Sequence, residues 1–106
     1  MTQPNNDTYG VIYKITNNVT GMYYIGKKAL NKGKKYETYW GSSKQLTADI
    51  KQYGKEHFTK EILMCCNTSY ELSYYEIEYI IKNDWLSDKC YNKNIIGKYF
   101  KNKLNT

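Results

Sequence analysis

Two tyrosines near the start of the chain, Tyr13 and Tyr24, sit in the short runs Gly10-Val11-Ile12-Tyr13 and Tyr23-Tyr24-Ile25-Gly26. A cluster of cations follows at once: Lys27, Lys28, Lys32, Lys34 and Lys35. Each run reads as a strand, and Asn17-Asn18-Val19-Thr20-Gly21 between them reads as a tight turn. With Asn18-Val19 at the turn centre, the ladder pairs Ile15 with Met22 and Tyr13 with Tyr24. Cross-strand partners share a face, so the two phenols stand side by side. A slip of one residue would place them on opposite faces. Paired phenols followed by lysines read as a reaction site rather than a core.

The third chemical group is a carboxylate. Thr68-Ser69-Tyr70-Glu71 has the form of a capping box opening a helix that runs to about Asn83. At about 100° per residue, Leu72, Tyr75, Ile77, Tyr79 and Ile80 spread over one apolar arc, and Glu76 falls near its middle. Glu71, Glu78 and Lys82 gather on the polar side. An inward carboxylate is normally ion-paired, protonated or metal-bound. A lysine partner, or a helix bent so that Glu76 reaches water, would account for it without function. Beside two phenols and a positive field, the favoured role is a ligand for one hard divalent ion, Mg²⁺ or Mn²⁺. Mg²⁺ takes one or two carboxylates and fills its other positions with water and phosphate oxygens.

The elements that must hold these groups follow from the pattern. After the hairpin of 8–26, residues 27–42 carry Gly33 and few apolar side chains, which predicts a loop or a short irregular helix. Ser42 or Ser43 caps a helix to about Tyr53, with Leu46, Ile50 and Tyr53 on one face and Gly54 as its stop. Phe58 to Met64 reads as a strand, with Phe58, Ile62 and Met64 alternating inward. The expected fold class is α+β, with ββαβα order around a small three-stranded, mostly antiparallel sheet. The domain spans 8–97, between a frayed polar tail over 1–7 and a basic tail over 98–106.

Composition narrows the partner. All 16 basic residues are lysine, with no arginine; against 10 acidic residues they leave a net charge of +6. With 13 tyrosines, this suits phosphate contact and stacking, hence nucleic acid. An AT-rich genome would produce the same bias, so composition alone does not decide. No apolar run reaches the ~20 residues of a membrane span, and there is no secretory signal, so an intracellular, soluble protein is expected. Cys65, Cys66 and Cys90 lack zinc-ligand spacing and read as reduced thiols in a strand and a loop. Lys51, Lys55 and Lys60 read as solvated charges, and Tyr36 and Tyr39 as packed aromatics.

Together these residues resemble the GIY-YIG nuclease domain of phage homing endonucleases, some restriction enzymes and an excision-repair nuclease. Val11-Ile12-Tyr13 stands at the first triplet, with Val11 replacing its glycine, and Tyr24-Ile25-Gly26 matches the second. Glu76 matches the family's metal-binding glutamate, and Asn92 in Cys90-Tyr91-Asn92 matches a late asparagine that helps close the site. Gly41-Ser42-Ser43-Lys44 and Tyr53-Gly54-Lys55 resemble small phage-borne members. The family's catalytic arginine has no counterpart; Lys34 stands at the closest offset, with Lys28 and Lys35 as rivals.

The resemblance implies a metal-dependent DNA endonuclease of phage or mobile-element type, acting in the host bacterial cytoplasm. Tyr13 would deprotonate or position the attacking water, and Tyr24 would bind a phosphate oxygen or the nucleophile. Glu76 would hold the metal, and Lys34 or Lys28 would neutralise non-bridging oxygens. A phenol titrates near 10, so the lysines beside Gly26 are expected to pull these tyrosines down. Lys27, Lys28, Lys32, Lys34, Lys35 and Lys44 are the expected DNA contacts. The alternatives are a catalytically weak or inactive nucleic-acid-binding module on the same fold, suggested by the missing arginine, and a structural or protein-interaction domain.

Overall fold

A computed structural model describes residues 3–31, 33, 35–83 and 87–92. Lys32, Lys34, Trp85 and the expected basic tail over 98–106 lie outside the described residues. The described elements are β1 (Gly10–Asn17), β2 (Tyr23–Ala29), α1 (Lys44–Tyr53), β3 (Phe58–Cys66) and α2 (Ser69–Lys82). The sheet order is β2-β1-β3, antiparallel throughout, which is the α+β class and element order that the sequence predicts.

β1 is central and covered on both faces, so four consecutive residues, Gly10 to Tyr13, are buried. Ile12 faces one cluster with Ile25, Leu72 and Ile80, under α2. Tyr13 and Ile15 face the other, with Leu46 and Phe58, under α1. Ser43 caps α1 by accepting from the Leu46 amide, and Gly54 ends it at φ 93°. Thr68 caps α2 through the Glu71 amide, while the Glu71 carboxylate reaches back to the Asn67 N–H.

Three local expectations are corrected. The hairpin turn is longer than a two-residue centre: the Asn17 amide pairs with the Met22 carbonyl, leaving Asn18–Gly21 as the loop. The Asn17 side-chain oxygen accepts from the Val19 and Thr20 amides at 2.9 and 3.3 Å, which stabilises the wider loop. The ladder therefore pairs Tyr13 with Gly26 and Ile15 with Tyr24. Because the shift is two residues, both phenols keep the same face. Next, Lys27 and Lys28 belong to β2 and not to a loop; ladder pairing carries the strand on to Ala29. Lastly, Phe58, Ile62 and Met64 do not share a face. Tyr13 pairs with Ile62 but Ile12 with Met64, so Leu63 is an extra residue in a bulge and Met64 turns toward α2.

Leu46 is fully buried and joins α1 to the sheet. Leu46→Ala is expected to cost about 2–5 kcal/mol, read as a lower midpoint in urea unfolding with an unchanged slope.

Candidate active site

Tyr13 projects from β1 directly opposite Gly26. A Cβ at Gly26 would lie 2.5 Å from the Tyr13 ring and hydroxyl and 2.8 Å from the Tyr24 ring. The phenol thus occupies the space that a side chain would fill, and glycine is required there for close approach. The Tyr24 ring lies beside it, centroids 6.2 Å apart. Tyr36, in a short 3₁₀ turn over Tyr36–Thr38, and Tyr39 just after it present their rings edgewise at 6.0 and 6.3 Å. These two aromatics, expected as ordinary packing, are walls of the Tyr13 pocket.

The loop that follows closes over Tyr24. Gly41, at φ 85°, leaves room for Tyr24: a Cβ there would meet its ring at 2.8 Å. Ser42 hydrogen-bonds Tyr24 through both side chain and backbone, which holds the phenol's pKa down against burial. Burial, the larger effect, still raises it. Tyr13 lacks such help. Among the described residues its hydroxyl is the buried side-chain polar atom without a hydrogen-bond partner. Burial first, then Tyr24, Tyr39, Glu76 and Tyr36, push its pKa far upward. The expected lowering by lysines is therefore reversed: removal of both phenols from water outweighs the neighbouring cations.

Glu76 comes from α2, in the layer opposite the phenols, yet its charge acts on both of them. It is half-buried between the buried positions Leu72 and Ile80, and burial raises its pKa while Lys27 opposes the rise. Glu78 instead pairs with Lys82 at 3.1 Å. A desolvated carboxylate opposed only by a nearby ammonium suits a divalent cation that brings its own water and phosphate ligands. Among the described residues no three His, Cys, Asp or Glu side chains gather, so an all-protein cage is not the arrangement here.

The lysines divide. Lys27 lies on the α2 side of β2 and donates to the Ser73 hydroxyl at 3.0 Å. Lys28 lies on the Tyr13 side, buried, donating to the Ala29 carbonyl at 2.7 Å with its ammonium over the Tyr39 ring. Lys35 and Lys44 are exposed. Asn92 does not reach the phenols. Buried, it accepts from the Ile25 amide at 3.0 Å and donates to the Ile25 carbonyl at 2.8 Å. Both backbone groups between Tyr24 and Gly26 are thereby fixed, next to the parallel bridge between Tyr23 and Cys90.

Lys60 is a correction to the solvated reading. Its ammonium lies 3.9 Å from the Tyr36 ring centroid, 5.4 Å from that of Tyr13 and 5.2 Å from that of Trp40. It also donates to the carbonyls of Tyr36 and Tyr39. Burial lowers its pKa to about 8. The signal was present in the strand: Lys60 has the parity of Phe58 and Ile62, the inward side. Ser42 had no comparable signal, because only the folded loop brings it to Tyr24.

The chain carries a phenol pair on adjacent antiparallel strands and a glutamate on α2 whose charge acts on both, and it belongs to the GIY-YIG family. The family model described as "Putative endonuclease segE, GIY-YIG domain" matches residues 1–103. The chain is similar to "Putative endonuclease segE" of Enterobacteria phage T4, at 38% identity over 79% of the chain. It is also similar to "Putative endonuclease segD" of the same phage, at 36% identity over 83% of the chain. It spans 40% and 39% of the lengths of these relatives. No solved structure matches it.

Gly26→Ala forces the new methyl into two rings and is expected to destabilise by about 1–3 kcal/mol, measured by thermal unfolding. A spectrophotometric titration should place Tyr13 and Tyr24 above the exposed tyrosines. Their folded pKa values exceed the unfolded value of about 10, so their contribution is complete below that pH. Stability should fall as pH rises past about 10, when the unfolded chain ionises and the folded chain does not.

Proposed function

We propose that the chain is the nuclease domain of a metal-dependent DNA endonuclease that hydrolyses phosphodiester bonds. The observation carrying this reading is the Tyr13 hydroxyl, buried without a partner beside Tyr24 and within the field of Glu76. An unsatisfied buried hydroxyl costs about 1–3 kcal/mol, which a phenylalanine would avoid. Retaining the hydroxyl makes sense if substrate completes its hydrogen bonding.

Because the free site holds Tyr13 protonated, its first role is donation: it orients the attacking water or a phosphate oxygen. Proton uptake by Tyr13 as a base requires added positive charge in the bound state. Tyr24, fixed by Ser42, holds a second oxygen. Glu76 would hold one Mg²⁺ or Mn²⁺, which supplies charge stabilisation at the phosphate and leaving oxygen. Lys27, whose charge acts on Glu76, and the exposed Lys35 and Lys44 would meet flanking phosphates, as would Lys32. Lys34 takes the arginine's part better than Lys28, whose ammonium is turned inward onto a backbone carbonyl. Asn92 acts as a positioning residue for the Tyr24-Ile25-Gly26 run.

The absence of arginine favours one second reading, a nucleic-acid-binding module without cleavage, since a lysine lacks the bidentate fork. Incubation with supercoiled plasmid and Mg²⁺ or Mn²⁺ separates the two. Nicking is expected; DNA binding with no nicking at any metal concentration supports the second reading. Tyr13→Phe should leave the melting temperature equal or higher while lowering cleavage by about a hundredfold or more. Glu76→Ala should abolish cleavage with binding retained, and undiminished cleavage would remove the metal role.

A further inference from the structure

β2 is an edge strand, and its two halves are treated differently. Residues 89–92 cover the half at Tyr23 and Ile25. The half at Lys27–Ala29 borders a cleft of about 710 Å³. The cleft passes from the α1 layer, at Thr47 and Ile50, to the first turns of α2, at Ser69 and Ser73. Three of its lining residues are lysines, and none of those described is acidic. Each ammonium has an aromatic or hydroxyl neighbour. Lys55 lies 5.2 Å from the Trp40 ring centroid, Lys28 lies 5.6 Å from that of Tyr39, and Lys27 donates to Ser73.

Cations paired with aromatic rings suit a nucleic-acid strand whose phosphates draw the ammonium groups and whose bases are free to stack in their place. In a duplex those faces would find no base, since the bases are stacked on one another. The size agrees. Small-ligand pockets run from about 300 to 1,000 Å³, a range that takes in a nucleotide or two but not a double helix.

We propose that this cleft holds a single DNA strand, with phosphates at Lys27 and Lys55 and bases against Trp40 and Tyr39. The proposal rests on the nuclease reading for its ligand class and specifies the form of substrate: DNA with an unpaired stretch beside the scissile phosphate. Lys55, read from the sequence as a solvated charge, becomes a substrate contact in the same cleft as Gly41, which adjoins both phenols.

Fluorescence anisotropy in EDTA tests it, using a short labelled oligothymidylate and a labelled duplex of equal length. The single strand is expected to bind about fivefold tighter or more. Lys55→Gln, a change at an exposed side chain, should weaken that binding about fivefold and reduce the salt slope by about 0.7, with an unchanged melting temperature. The oligonucleotide should quench tryptophan fluorescence in the parent protein and not in Trp40→Phe. Equal or tighter binding of the duplex, or full strand affinity in Lys55→Gln, overturns the proposal. Cleavage does not enter this readout. A Glu76→Ala protein that keeps the strand preference but loses cleavage supports both assignments, whereas cleavage without the preference defeats the cleft alone.

Discussion

The site depends on one close approach: the Tyr13 ring lies across Gly26, in space that any Cβ would occupy. That contact removes the phenol from water and brings Tyr24 alongside. It also leaves the buried Tyr13 hydroxyl without a hydrogen-bond partner among the described residues. The second triplet's glycine is therefore a packing requirement of the first triplet's tyrosine. Around them, Tyr36, Tyr39 and the ammonium of Lys60 complete the enclosure, and Lys60 holds the Tyr36 and Tyr39 carbonyls in place. Loop, strand and phenol form one packed unit.

Burial also sets the electrostatics. Both tyrosines and Glu76 are shifted toward their neutral forms, chiefly because low-dielectric surroundings disfavour charge. This is how two acidic hydroxyls and one carboxylate coexist beside a basic sheet edge without forming simple ion pairs. Among the described residues the Lys60 ammonium lies 5.4 Å from the Tyr13 ring centroid, and Lys27 is the cation that acts on Glu76. The raised values reflect how far burial removes these groups from water in the free protein.

Positioning is divided between the layers. The phenols face α1, while Glu76 and Lys27 belong to the α2 side, so groups from both faces converge around the β2 strand. Asn92 supports this from outside by bonding both backbone groups of Ile25 as a neighbouring strand would. The basic half of the strand beyond it, Lys27–Ala29, lines the cleft.

Much of this was legible in the chain itself. Period-two and period-3.6 patterns identified the strands and helices, the Thr68 cap marked the start of α2, and angular position singled out Glu76 from Glu71 and Glu78. Those signals are local, because side-chain direction follows from backbone geometry over a few residues. The shared face of Tyr13 and Tyr24 survived a misjudged turn because the error was an even number of residues. What only the tertiary structure decided depends on non-local contact. The Leu63 bulge is a property of two strands together, the inward turn of Lys28 and Lys60 follows from rings contributed by a distant loop, and the Ser42–Tyr24 bond exists only once that loop is closed. The direction of the phenol shifts was also beyond the sequence: it is set by how much water is excluded, and exclusion is a property of the assembled fold.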